Sequence, residues 1–159
     1  MNSRKILKSI FFAILLSGII LPSITNAQFF GYKLMYSKRK VHIPFEIYNN
    51  LVVIPIKLNG VVPLSFVVDT GLRSTIITEK LITDILRLPY SRKITVNGPG
   101  DYIILEAYVI NNVDIVLDGA IGSDQSILVL EKDYLNLRNH LGTEVHGMLG
   151  YDIFNRFIV

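Results

Sequence analysis

The residues best placed to do chemistry are Asp69-Thr70-Gly71, which follow the apolar run Phe66-Val67-Val68. A carboxylate at the end of such a strand is costly to bury unless it is paired or hydrogen-bonded. Its neighbours offer the means. Thr70 supplies a hydroxyl, and Gly71, with no Cβ, lets the backbone turn sharply and bring its N–H close to the carboxylate. Ser74 and Thr75 add further hydroxyls. The arrangement suits an ionisable acid held where general acid–base chemistry is possible. On its own the tripeptide reads equally as a strand ending in a turn with Asp69 as its cap.

The elements around the triplet are mostly strands. Leu51 to Leu58 and Val61 to Val68 are apolar at nearly every position, and Asn59-Gly60 between them marks a two-residue hairpin. Both strands are expected to be covered on both faces, with Pro55 and Pro63 placing them at edges or bulges. Thr78 to Leu86 predicts a short helix capped by Thr78, with Leu81, Ile82 and Ile85 as its apolar stripe. Ile94-Thr95-Val96 and Tyr102 to Ile110 read as paired strands around a tip at Asn97-Gly98-Pro99-Gly100-Asp101. Asn111-Asn112 reads as a turn. Val113 to Leu117 and Ile127 to Leu130 read as strands, with Asp118-Gly119 as a turn between them. Asp133 to Glu144 reads as loop with some helical turn. Gly147 to Phe154 reads as a turn passing into a short helix, and Phe157-Ile158-Val159 as the start of a further strand. Many short strands with one or two short helices predict an all-β class, a small closed β-barrel.

A second motif lies far downstream, at His146-Gly147-Met148-Leu149-Gly150-Tyr151-Asp152. With it, the chain resembles the retropepsin-like aspartic proteases, single-lobed β-barrels whose pattern is an apolar strand, Asp-Thr/Ser-Gly, a β-hairpin flap, then two hydrophobic residues and a glycine before a short helix. Phe66 to Gly71 fits the first part. Ile94 to Ile110, with Gly98, Pro99 and Gly100 at its tip, falls where the flap belongs. Met148-Leu149-Gly150 fits the element that crosses near the active-site loop. The order and spacing agree from about Phe45 to Val159, most closely with bacterial exported members whose opening strand is like Asn49 to Pro55.

The resemblance implies two aspartates that face each other and share one proton, because adjacent like charges cannot both ionise easily. Asp69 is implied as one of them, with Thr70, Gly71 and Ser74 supporting its loop. It implies peptide or protein as substrate, and neither a metal nor an organic cofactor. The chain has a single such triplet; Leu117-Asp118-Gly119 lacks the hydroxyl residue. The second aspartate is therefore expected from a homodimer partner or a second lobe. A non-catalytic peptide-binding or assembly module on the same barrel is the alternative. The ending at Phe157-Ile158-Val159 suggests truncation at the C-terminus.

The bulk composition sets the remaining limits. Arg4, Lys5 and Lys8 precede the apolar run Ile10 to Leu21 and the small residues up to Ala27. That order is a secretory signal peptide, shorter than the roughly 20 apolar residues of a bilayer-spanning helix; a retained anchor is the other reading. The expected domains are a signal peptide at 1–27, a lead-in segment at 28–44 and the protease-like domain at 45–159. The expected location is periplasmic or secreted, with no membrane association once the signal is cleaved. Of sixteen Lys and Arg, those three lie in the signal, leaving thirteen against thirteen Asp and Glu, a balance that calls for no nucleic acid. There is no cysteine, so export is not accompanied by disulfides. His42, His140 and His146 lack metal-site spacing, and no G-x-S-x-G is present.

Overall fold

A computed structural model describes residues 31–98 and 104–158. The expected signal segment, and Pro99 and Gly100 at the expected flap tip, lie outside these residues. The described residues form nine strands: β1 (Gly31–Leu34), β2 (Glu46–Tyr48), β3 (Leu51–Leu58), β4 (Val62–Val68), β5 (Ile76–Ile77), β6 (Arg92–Asn97), β7 (Ile104–Leu117), β8 (Ala120–Leu130) and β9 (Gly147–Leu149). Two short helices, α1 (Lys80–Ile85) and α2 (Leu137–Leu141), and a 3-10 turn at Tyr151–Ile153 complete the set. The all-β class is as expected.

All nine strands join one sheet, in the order β1-β8-β5-β9-β4-β3-β7-β6, with β2 also on β3 and β7 also on β8. The β7–β8 pairing bends the sheet into a ring. It is not the regular closed barrel expected, because some of its joints are very short. Only Lys57 and Leu58 of β3 pair with Val116 and Ile115 of β7, and β5 contributes two residues. Asn59 extends the first joint: its N–H donates to the Asp114 carbonyl at 2.8 Å, and its Oδ1 accepts from the Asp114 N–H at 2.9 Å.

The turn chemistry explains the local connections. Asn59 and Gly60 adopt positive φ, 49° and 71°, as the hairpin signal requires. The register pairs Leu58 with Val62, so the loop holds three residues rather than two. Asn49 and Asn50 also take positive φ and close a tighter β2–β3 hairpin, pairing Tyr48 with Leu51. Pro55 faces Ser65 of β4 on one side. On its other flank it falls between the β2 pairing, which ends at Val53, and the β7 pairing, which begins at Lys57. The missing N–H thus sits at a local edge, as a proline in a strand demands. Burial is less complete than the apolar runs suggest: Pro55 and Lys57 are exposed, while Ile54, Ile56 and Leu58 are buried.

Several expected elements are corrected. Helix α1 begins at Lys80 with Glu79 as its extended N-cap. Thr78 cannot cap it, because its N–H and hydroxyl both donate to the His146 carbonyl, at 3.0 and 3.1 Å. Leu81 and Ile85 are 64% and 72% exposed, and it is Ile82 and Leu86 that pack on the core. Asn111 and Asn112 do not end a strand. They lie within β7, where bulges between Ile110 and Ile115 absorb the irregularity and Asn112 takes φ 56°. Strand β8 starts at Ala120, directly after the Asp118-Gly119 turn. Gly147 opens strand β9 instead of a turn. Phe157 and Ile158 are not in a strand, and Val159 lies outside the described residues. Gly31–Leu34, expected in the lead-in, is a strand paired with β8.

The main core is made by Ile54, Ile56, Leu58, Leu64, Phe66, Ile77, Ile110, Ile115, Ile127 and Leu149, among others. A second cluster joins Ile76, Leu105, Ala107 and Leu130. Burial of side chains of this size stabilises by about 1.5–3 kcal/mol each, which fixes the ends of β4 and β9 where they meet.

Candidate active site

Strand β4 runs straight into Asp69, and β9 lies beside it in parallel, pairing Phe66 with Gly147, Val67 with Met148 and Val68 with Leu149. The ladder continues one step further: the Asp69 N–H donates to the Leu149 carbonyl at 3.0 Å. Strand β5 flanks β9 on its other side, pairing Ile76 with Met148. The chain therefore leaves β4 at Asp69, loops through 70–75 and returns as β5, with β9 between the two arms.

Within this loop Asp69 is half-buried, and Thr70 and Gly71 are exposed. The Gly71 N–H donates to Asp69 Oδ1 at 2.8 Å, and the Leu72 N–H donates to the Asp69 carbonyl at 3.3 Å. A Cβ on Gly71 would stand 3.3 Å from that Oδ1, so the missing side chain is what allows the close approach. The carboxylate is held on one oxygen by its own loop, as an N–H at this position was expected to do.

The crossing is as tight as backbones permit. A Cβ on Gly150 would lie 2.8 Å from the Leu72 carbonyl oxygen, and one on Gly147 would lie 2.2 Å from that of Ile76. Any side chain at either place would collide with backbone. Between them Leu149 is fully buried, and half-buried Met148 packs on both smaller core clusters. The Tyr151 N–H then donates to the Leu72 carbonyl at 2.8 Å, tying the turn after Gly150 to the loop. Met148, Leu149 and Gly150 thus meet Asp69, Thr70, Gly71 and half-buried Ser74 in one corner. The hydrophobic-hydrophobic-glycine spelling has a physical meaning: two core anchors, then a residue that must have no Cβ.

Gly98 follows β6 at the head of the β6–β7 hairpin. At the base of that hairpin, Val96 and Leu105 share the second core cluster with Leu72 and Met148. The hairpin therefore rises beside the Asp69 loop. Next to the loop opens a groove of about 1130 Å³, reaching from Val68 and Thr70 to Ile153, Phe157 and Ile158. Its described lining is apolar apart from Thr70 and the basic side chains Lys33, Arg39, Lys40, His42 and Arg156, with no carboxylate among them.

The histidines play no metal role in this arrangement. His42 and His140 are exposed, while His146 Nδ1 accepts from the Ser65 N–H at 3.1 Å and its backbone lengthens the β4–β9 contact. Among the described residues no three His, Cys, Asp or Glu side chains gather as a metal site, and no helix is long and apolar enough to cross a membrane. Sequence reasoning missed Tyr32, which is buried in the core beneath the site. It lay in a stretch without alternation, and nothing in its neighbours signalled a strand.

A single-lobed, ring-shaped sheet whose Asp-Thr-Gly loop is crossed by a hydrophobic-hydrophobic-glycine strand defines an acid-protease type of site. A profile of the family described as "Aspartyl protease" matches residues 54–153. The chain belongs to the aspartyl protease family, and the resemblance drawn from its motifs is borne out at that level. Among solved structures it is similar to a retropepsin-like aspartic protease from Rickettsia conorii, at 21% identity over 77% of this chain and 87% of that one, TM-score 0.45. It is also similar to the retroviral protease-like domain of Ddi1 from Leishmania major, at 17% identity over 74% and 78%, TM-score 0.44. A third is the EIAV protease in complex with the inhibitor HBY-793, at 19% identity over 77% and 98%, TM-score 0.44. No curated protein matches the chain.

Proposed function

We propose that Asp69 is one of two catalytic aspartates in an aspartic endopeptidase that acts outside the cytoplasm as a homodimer. The observation that carries this reading is the fixing of Asp69: its N–H is bound to Leu149 and its Oδ1 to Gly71, while Thr70 beside it is exposed. An acid locked by its backbone at the rim of a lobe is prepared to meet a second one. With a partner loop opposite, the two carboxylates would share a proton and titrate as a unit. One would take a proton from a water that attacks the scissile carbonyl, while the other donates to the carbonyl oxygen. Thr70 would brace the paired loops, and the β6–β7 hairpin, with Gly98, Pro99 and Gly100 at its tip, would cover an extended peptide and exclude water. The basic, apolar and small-residue order of residues 1–27 supports export.

The test is cleavage of a broad peptide library by the chain from residue 28 onward, together with its sedimentation behaviour. Pepstatin-sensitive cleavage by a dimer, lost in Asp69→Asn, supports the reading. A folded dimer that cleaves nothing, or a monomer that binds extended peptides equally well with Asp69→Ala, would replace it with a non-catalytic peptide-binding module.

A further inference from the structure

Tyr32 is only 3% exposed, and its ring lies directly on Gly122, where a Cβ would stand 2.7 Å away. Its hydroxyl is buried and makes no hydrogen bond with any described residue. A phenylalanine would fill the same space without that cost, because an unmet buried donor is destabilising whereas an apolar replacement of the same shape is not. Such a group calls for a reason other than stability.

Its surroundings supply one. Strand β1, which carries Tyr32, packs against the 3-10 turn Tyr151–Ile153. The polar groups beside the hydroxyl are the Thr75 side chain and the Asp152 carboxylate. Thr75 ends the loop that begins at Asp69, and its carbonyl accepts from the Leu128 N–H at 2.9 Å. Asp152 follows Tyr151, whose N–H holds the Leu72 carbonyl in the same loop. The hydroxyl therefore stands between the outgoing arm of the Asp69 loop and the turn that secures its middle.

We propose that Tyr32 is a positioning residue for Asp69: its hydroxyl is shared between Thr75 and Asp152 and clamps the loop 69–75 to the 3-10 turn. The proposal rests on the reading of Asp69 as catalytic, but its physical content, a clamped loop, can be measured without turnover. The clamp acts through the loop and does not touch substrate.

The experiment compares Tyr32→Phe with the unaltered chain by kcat, KM, thermal midpoint and amide exchange at Gly71, Leu72 and Tyr151. The clamp predicts an unchanged or higher midpoint, faster exchange at those three amides, unchanged KM and a kcat lowered about ten- to hundred-fold, the effect of small misplacements of a reacting group. Thr75→Val should reproduce the loss, and Thr75→Ser, which keeps the hydroxyl, should restore kcat. A lower midpoint with faster exchange throughout the core would make Tyr32 an ordinary packing residue and overturn the clamp. Unchanged exchange at the three amides would overturn it as well. If the unaltered chain cleaves nothing, the endopeptidase reading fails, and the exchange comparison still decides whether the clamp exists.

Discussion

The backbone N–H of Asp69 and the carbonyl of Leu149 are joined by a 3.0 Å hydrogen bond at the point where two distant strands run parallel. The bond aims the carboxylate from the backbone side, and Gly71 aims it from the loop side. Neither contact depends on the negative charge alone.

Asp69→Asn should therefore separate chemistry from structure. The asparagine oxygen can still accept from the Gly71 N–H, so far-UV circular dichroism and the thermal midpoint should stay unchanged. Activity should fall by about 10²–10⁴ or more, the share carried by a positioned acid or base, in a peptide-cleavage assay. A variant that loses its fold would show that Asp69 is mainly a structural cap.

Gly147→Ala should be strongly destabilising. Its new Cβ would meet the Ile76 carbonyl and the Phe66 ring, at 2.2 and 2.7 Å. Overpacking of this kind costs about 1–3 kcal/mol, readable as a lower urea midpoint. Gly150→Ala should act similarly through the Leu72 carbonyl and also loosen the Asp69 loop. Gly60→Ala, with no heavy atom within 4 Å of the new Cβ, should cost only the strain of its positive φ, about 1–2 kcal/mol.

At Asn59 the two contributions to the ring joint can be separated. Asn59→Gly keeps the left-handed backbone and loses the bond to the Asp114 N–H, which should cost about 0.5–1.5 kcal/mol. Asn59→Ala loses the bond and adds a left-handed strain of about 1–2 kcal/mol. Equal unfolding free energies for the two variants would show that the strain is relieved elsewhere.

Asp84 should give the protein some of its resistance to acid. The Tyr90 hydroxyl, donating to its Oδ1 at 2.5 Å, and next the Lys80 ammonium at 2.9 Å hold its carboxyl below the ordinary range. A depressed acid stabilises the fold above its unfolded pKa, and that contribution is lost as pH falls through the folded value. Asp84→Asn should therefore be less stable than the parent at neutral pH. The difference should vanish in strong acid, as followed by thermal midpoints across pH. Asp152 should show the opposite sign. Burial raises its carboxyl above the ordinary range, so its ionisation opposes folding at neutral pH, and Asp152→Asn should gain stability there and none in acid.

The elements legible in the sequence were those whose signals are local. The apolar runs around Asn59-Gly60, the Asp118-Gly119 turn and the strand leading to Asp69 follow from residue type and spacing. What was not legible depends on partners far along the chain. Thr78 looks like a helix cap until the His146 carbonyl occupies both its donors. Asn111-Asn112 looks like a turn until β8 pairs on both sides of it. Gly147 looks like a turn residue because its real constraint, the Ile76 carbonyl, is visible only once β5 and β9 are side by side. Within the site, the triplet and Met148-Leu149-Gly150 were readable as motifs, whereas the orphan hydroxyl of Tyr32 was not.

The parallel pairing of β4 with β9 also sets a timetable. Contacts between remote segments form only after long loops have closed. Until Leu149 has been made and has docked, the Asp69 N–H lacks its acceptor, and the loop has no crossing strand to hold it. A chain still being synthesised or threaded across a membrane therefore carries the acid without the geometry that would arm it. In this fold, late assembly serves as a safety catch without a separate inhibitory segment.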